Sequence, residues 1–391
     1  MKRLKYKKKI CIVSTSRADL GQLSGVVKIF QKSTSFNTQL IISGLHLNKF
    51  SKFSHRETNE LNLKISKKIF VDIKKFSEKD INQYFSEYLK KFSKYFDINK
   101  PDLLILLGDR YETFAVATSA FFFNIPIAHI HGGEITVGSK DDSIRHAISK
   151  LSNYHFVAND IFKKRLIRMG ETPNSIFVTG SPGLSNLKKM KFLSKLQIEK
   201  KLKISLKKRN FIVTLHPEID KKKTDILSTD LFEILKKLNN SNIFICSPNA
   251  DIFSDIIREK IESFTKKNKN TFFFENLGFK NYLSLAKLCN FVIGNSSSGI
   301  TEMPFLGIPS INIGLRQKGR PFAKSVFSTN YSKKKIKDTI FQLLNVKKNY
   351  LKQKLYYYDN NSNINIFKII KNIDLKKKKY KEFFDKNDKY R

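Results

Sequence analysis

The chain has 391 residues, 40% of them hydrophobic with 34 Phe, and carries a formal net charge of +40. That length exceeds one ordinary core and predicts two domains of about 150 to 200 residues each, while the apolar content excludes a disordered polyelectrolyte. The lysine excess invites a nucleic-acid or membrane partner, but Lys is scattered over almost every segment with no zinc-finger spacing, RNP signature or heptad-linked basic region, so neither partner is expected.

The lysine-rich first nine residues lead into a short apolar run, Ile10 to Ser14, rather than a signal-peptide core. No apolar run of about 18 residues follows, so a cytoplasmic location is expected. Ile10 to Ser14 reads as the first strand, followed by Thr38 to Ser43, Leu103 to Leu107, Ile127 to Ile130, His155 to Ala158 and Ile176 to Thr179. Helix-like segments such as Asp80 to Phe96 and Thr113 to Phe123 lie between them. A lysine-rich, helical stretch over 186–209 joins this series to a second one: Phe211 to Leu215, Ile243 to Cys246, Thr271 to Phe274, Phe291 to Ile293 and Ser310 to Ile313. Short apolar runs alternating with amphipathic ones predict an α/β protein, two Rossmann-like domains facing a central cleft. The expected boundaries are 1–185, 186–345 and a C-terminal helix with charged tail, 346–391. A helical stretch over about 333–374 is expected to pack on the second domain and cross back to the first. Lys376 to Lys379 and beyond read as a frayed terminus. Cys11, Cys246 and Cys289 sit singly in apolar stretches, as packed thiols do.

Ligands in open α/β sheets sit beyond the carboxyl ends of strands, so the residues there are the candidates. After the first strand, Ser14 to Gly21 is a turn of small residues opening a helix, where free N–H groups and Arg17 suit a diphosphate; it is not a GxGxxG fingerprint. After the third comes Gly108-Asp109-Arg110. In His129-Ile-His131-Gly-Gly-Glu134, a period of two puts both histidines on one face of the strand. His129 is read as structural and His131 as a site residue, with the double glycine turning Glu134 into the crevice. Asp141-Asp-Ser-Ile-Arg145-His146 reads as an N-capped helix start with carboxylates at the positive end. Three carboxylate clusters at consecutive strand ends suit proton transfer on a substrate whose anionic part is held nearby. No zinc spacing occurs; magnesium held by the carboxylates is the alternative reading.

The second half offers His216-Pro-Glu218, Asn249-Ala-Asp251 and Gly294-Asn-Ser296-Ser297-Ser298-Gly299 leading to Glu302, each after a strand. Serine hydroxyls and bare N–H groups at a helix start are phosphate ligands. Arg316-Gln-Lys-Gly-Arg320 follows the last strand, its arginines suited to a pyrophosphate or a base edge.

In this order the clusters resemble the hydrolysing UDP-N-acetylglucosamine 2-epimerases of sialic and legionaminic acid biosynthesis, over about residues 10–320. The most specific pieces are Ser16-Arg-Ala-Asp19, Gly108-Asp-Arg110, His129 to Glu134 with Asp141 to His146, His216-Pro-Glu218, Asn249-Ala-Asp251, Gly294 to Gly299, and Arg316 to Arg320. The resemblance implies a glycosyltransferase-B type fold and no cofactor. It implies Asp109, Glu134 and Asp141 as acid–base carboxylates, and His216 against the leaving diphosphate. Ser296 and Ser297 would hold phosphates, Glu302 the ribose and Arg316 the diphosphate or uracil, with Arg17 reaching across. Arg110, His131, Asn249 and Arg320 complete the candidate substrate-binding set. Two positions depart from the family pattern: Leu20, where an aromatic residue is common, and Ser185, where an acidic one is frequent. A UDP-sugar is the implied substrate, released as UDP and a free sugar inverted at carbon 2, and a homo-oligomer is the expected assembly. Rival readings are a non-hydrolysing epimerase, a glycosyltransferase of the same fold, and a non-catalytic UDP-sugar-binding protein.

Overall fold

The computed structural model describes residues 7–47, 61–73, 77–137, 139–218, 220–248, 252–344, 350, 352–375 and 381–385. Its strands are β1 (Lys8–Ser14), β2 (Phe36–Ile42), β3 (Lys67–Lys68), β4 (Leu103–Leu107), β5 (Ile127–Ile130), β6 (Tyr154–Val157) and β7 (Ile176–Val178), then β8 (Arg209–Thr214), β9 (Ser241–Cys246), β10 (Thr271–Phe274), β11 (Phe291–Gly294), β12 (Ser310–Ile313) and β13 (Val326–Thr329). They form two parallel sheets, seven-stranded in the order β3-β2-β1-β4-β5-β6-β7 and six-stranded in the order β10-β9-β8-β11-β12-β13. This is the two-domain α/β architecture that the alternating pattern predicts.

The sequence explains the layers. β4 is Leu-Leu-Ile-Leu-Leu and wholly buried, as a strand covered on both faces must be. Along β1, Ile10 and Ile12 enter the core on one face while Cys11 and Val13 enter that on the other, the period of two. The helix Glu78–Ile98 starts at a Ser77/Asp80 capping box and buries Tyr84, Tyr88, Phe92 and Phe96, a four-residue spacing that lays one stripe against the sheet. A further cluster joins the domains, packing Val157, Phe162 and Leu184 with Ile212, Phe244 and Leu283.

Strand order places the site. In each sheet the direction of winding reverses once, between β1 and β4 and between β8 and β11, and such a reversal opens a crevice at the carboxyl edge. Register pairs Ile12 with Ile105, Leu107 with Ile130 and Thr214 with Gly294, so the loops after these strands emerge together. Gly294 has φ +147, and a Cβ there would lie 1.8 Å from the Thr214 carbonyl oxygen; only glycine lets the two strand ends close this tightly.

Several expectations are corrected. The stretch 186–209 is not continuously helical: one helix ends at Lys188 and a short one, Lys195–Leu202, follows its own Ser194 capping box. The stretch 333–374 holds two helices, Lys333–Leu344 and Ser362–Asn372, with non-helical chain at 352–361. The second buries Ile366 and Ile370 in the first domain's core. The chain before it and its first residue are clamped to Gly180 and Ser181 by Ser181 N to Tyr357 O (2.7 Å) and Ser362 Oγ to Gly180 O (3.1 Å). β3 and β13 are edge strands the sequence did not signal. Residues 376–379 lie outside the described residues, but 381–385, expected to fray, dock on the first domain through Lys381 Nζ to Glu171 (2.5 Å) and Phe384 N to Gly170 O (2.9 Å). Among the described residues, no helix is long and apolar enough to cross a membrane.

Candidate active site

Both crevices open into one cleft of about 1560 Å³ lined by residues of both domains. On the first domain's side, Ser16 caps the helix Arg17–Lys32 by accepting from Asp19 N (3.3 Å), and buried Asp19 takes the Thr15 hydroxyl (2.9 Å). Burial raises the Asp19 carboxyl above its usual range against the pull of Arg110. The Arg17 side chain and all of Asn249 lie outside what is described.

After β4, Asp109 is ion-paired with Arg145, whose side chain is fully buried. Arg110 forks onto Glu112 (3.1 and 3.2 Å), a carboxylate with no exposed surface. Both Asp109 and Arg110 line the cleft.

After β5 the chain leaves the strand at His131, whose φ of +67 is left-handed. His131 therefore does not share a strand face with His129, because the alternation ends with the strand at Ile130. Gly133 completes the turn at φ +74, where a Cβ would meet the Phe162 carbonyl at 2.6 Å. His129 is wholly buried between Gly108 O (2.7 Å) and Ser149 Oγ (3.1 Å), and burial depresses it to about 3. His131 joins Glu134 Oε1 at 2.7 Å and Ser181 Oγ at 3.3 Å. Glu134 also meets Arg320 of the second domain at 2.8 Å. Burial would raise the Glu134 carboxyl, but Arg320 and His131 outweigh it and hold the group below the usual carboxylate range.

The helix Asp141–Leu151 starts without a side-chain cap, its N-cap being Lys140 rather than an acidic residue. Asp141 sits inside the first turn and pairs with Arg316 Nη2 of the second domain at 3.1 Å. Arg316 Nη1 donates to Pro217 O (3.0 Å). Two of the three candidate carboxylates are thus bridged to the loop after β12.

On the second domain's side, His216, Ser296, Ser297 and Glu302 line the cleft. The serine turn does not open a long helix: Ser297–Gly299 is one 3-10 turn and Glu302–Phe305 a single helical turn. Too few aligned peptides exist there for a sizeable dipole, so what the turn presents to the cleft is its local N–H groups and hydroxyls. Leu20 is wholly buried in the core and Ser185 donates to Asn360 O (3.1 Å), so neither departure from the family pattern lines the cleft. Residues the sequence reading did not single out include Asp19, Arg145, Asn295 and Gln317. All four lie inside motifs quoted from the sequence without being given a site role, and the four-residue spacing of Arg145 from Asp141 misdirects, since Arg145 pairs with Asp109. Among the described residues, no group of three His, Cys, Asp or Glu is disposed to hold a metal ion.

The family described as UDP-N-acetylglucosamine 2-epimerase matches residues 28–371. The chain belongs to this family. A Campylobacter jejuni relative, GDP/UDP-N,N'-diacetylbacillosamine 2-epimerase (hydrolyzing), is 40% identical over 80% of this chain and 82% of its own. The Escherichia coli polysialic acid biosynthesis protein P7 is 35% identical over 97% of each chain. The crystal structure of the Neisseria meningitidis UDP-GlcNAc 2-epimerase bound to UDP-GlcNAc superposes with a TM-score of 0.78, covering 93% of this chain and 99% of that one at 18% identity. The epimerase fold is therefore common to both, and the cleft described above is where this epimerase family member gathers its charged residues.

Proposed function

We propose that the chain is a hydrolysing 2-epimerase of a UDP-N-acetylhexosamine, either UDP-N-acetylglucosamine or a UDP-2,4-diacetamido-2,4,6-trideoxyglucose, acting in nonulosonic acid biosynthesis. The observation that carries this reading is the bridging of Glu134 and Asp141 in one domain by Arg320 and Arg316 of the other. A diphosphate entering the cleft offers these guanidiniums a stronger anion, and each exchange leaves a carboxylate beside the sugar. A carboxylate among Asp109, Glu134 and Asp141 takes the carbon-2 proton while the carbon-1 oxygen bond breaks with its electron pair to UDP. The 2-acetamidoglucal then adds water, hydroxyl to carbon 1 and a proton to the opposite face of carbon 2. Arg316, Arg320, Ser296 and Ser297 stabilise the charge gathering on the diphosphate, with His216 against it. Glu302 faces the ribose. No net electron transfer occurs, so no redox cofactor is called for.

Two further considerations support the hydrolysing form and its substrates: the hydrolysing activity in the name of the Campylobacter relative, and the diacetamido sugar in that same name. The test is incubation with each UDP-sugar and no acceptor. Free 2-epimeric sugar with an equal amount of UDP is the expected outcome. An intact UDP-sugar epimer would assign the non-hydrolysing reaction, and turnover that required an acceptor would assign a glycosyltransferase.

A further inference from the structure

We propose that Asn295, oriented by Glu218 and Tyr331, is a positioning residue that fixes His216 and, through Gln317, Arg320. The proposal rests on the functional reading above, in which His216 and Arg320 face the leaving diphosphate. Asn295 has no exposed surface. It follows Gly294, whose tight contact with Thr214 delivers it beside the chain at 216–218, and its own N–H donates to Thr214 O (3.2 Å). Its amide clamps the His216 peptide from both sides: Oδ1 accepts from His216 N (2.7 Å) and Nδ2 donates to His216 O (2.9 Å). The second Nδ2 proton goes to Glu218 Oε1 (3.1 Å).

This arrangement has one orientation. Turned over, the amide would set its oxygen against two acceptors, His216 O and Glu218 Oε1, and its nitrogen against a donor, at a side chain with no exposed surface. Glu218 is held in turn by the Tyr331 hydroxyl (3.0 Å), and that hydroxyl accepts from Leu315 N (3.2 Å), at the start of the arginine loop. From the main chain of Asn295 the same network reaches the other domain. Its carbonyl accepts from Gln317 Nε2 (2.8 Å), Gln317 Oε1 accepts from Arg320 Nη1 (2.7 Å), and Arg320 meets Glu134. One buried residue thus links the leaving-group histidine, through its side chain, to an arginine that bridges to a candidate base, through its main chain. Misplacement by about 1 Å at such a site costs about a hundredfold in rate.

The test compares wild type with Asn295→Asp, Glu218→Gln and Glu218→Leu. Asn295→Asp keeps shape but replaces the donating nitrogen by an oxygen facing two acceptors. Expected is a fall in kcat of about tenfold to a hundredfold with KM and the calorimetric Kd for UDP within about threefold. Glu218→Gln can still accept from Asn295, with the Tyr331 hydroxyl turned to accept, and is expected to keep near-wild-type kcat, whereas Glu218→Leu is expected to lose it as Asn295→Asp does. If Asn295→Asp fails to fold, Gln317→Met takes its place with the same expected fall. A readout independent of turnover is the side-chain nitrogen spectrum of the histidines, with His216 identified by its loss in His216→Gln. Asn295→Asp should move or broaden the His216 signals and leave those of His129 unchanged. Wild-type kcat in Asn295→Asp, an unmoved His216 signal, or equal damage from Glu218→Gln and Glu218→Leu would overturn the proposal. A wild type that turns over no UDP-sugar would overturn the functional reading alone, since the histidine spectra still decide what Asn295 positions.

Discussion

The carboxylates on the first domain's edge of the cleft meet their cations in two different ways. Asp109 is paired within its own domain, to Arg145 on the helix Asp141–Leu151, a guanidinium shut away from water. Glu134 and Asp141 are paired across the cleft, to Arg320 and Arg316, which stand on the loop after β12. The first pair lies within one domain and does not depend on how the two domains face each other. The other two exist only while the domains face each other, and a diphosphate competes for their cations. All three pairs are largely buried, Arg320 and Glu134 at 6% and 5% exposure, so what separates them is whether the cation stands in the same domain or across the cleft.

Breaking the fixed pair should have the largest effect. Arg145→Leu leaves Asp109 without its buried cation and should cost about 3 to 5 kcal/mol of stability, the scale of a buried pair broken on one side. Thermal or urea unfolding measures it; a loss under 1 kcal/mol would mean that the pair is not a part of the fold. Next comes the chemistry: Glu134→Gln or Asp109→Asn keeps shape and removes proton transfer, so turnover should fall at least about a hundredfold. UDP affinity, read by calorimetry, should stay near normal because its proposed ligands stand mainly on the second domain. The exchangeable pair should register in binding instead. Arg316→Ala should weaken UDP by about 1.5 to 3 kcal/mol, the range of a charge-assisted hydrogen bond. Its stability should change little, and the reverse pattern would erase the distinction between the two kinds of pair.

The smallest effect concerns pH and turns on a core group, His129. His129 is depressed to about 3 by burial, so it stays neutral in the folded chain while the unfolded chain takes up a proton near the usual 6.5. The unfolded state thus binds more protons between these values, and stability falls as pH drops below about 6.5, by about 1.4 kcal/mol for each unit. Unfolding measured at pH 7 and pH 5.5 should show this loss. His129→Gln, which can still donate to Gly108 O, should show a smaller one, and an equal loss in both would remove His129 as its origin.

The sequence was most readable where burial is two-sided. The bounds of β4 follow from an unbroken apolar run, Leu-Leu-Ile-Leu-Leu, that Pro101-Asp102 and Gly108-Asp109 close at its two ends. It was least readable at two of the four sheet edges, β3 and β13. β3 is two exposed lysines, and no burial pattern marks such a strand; lysine there also discourages edge pairing. The stretch 186–209 misled because its apolar residues pack as irregular chain, Met190, Phe192, Leu193, Ile204 and Leu206 against the cluster shared by the domains. In the site, the motif residues were legible because they stand in the loops and helix starts that follow strand ends, from Asp109 just after β4 to Asp141 at the helix start beyond β5. The partnerships were not: Asn295 meets His216 across 79 positions and Arg316 meets Asp141 across 175. No local spacing encodes such contacts, and they arise only when two sheets turn their carboxyl edges toward each other. His131 shows the opposite failure, a local rule carried one residue too far past the end of its strand.

The most direct test of the central claim is reaction in D2O with the released sugar analysed by proton NMR and mass. Elimination through the glycal, with a carboxylate taking the carbon-2 proton and solvent returning one from the other face, predicts a free 2-epimeric sugar carrying deuterium at carbon 2 and an equal amount of UDP. A free sugar that retains protium at carbon 2 would contradict it, and would assign plain hydrolysis or glycosyl transfer to the same cleft.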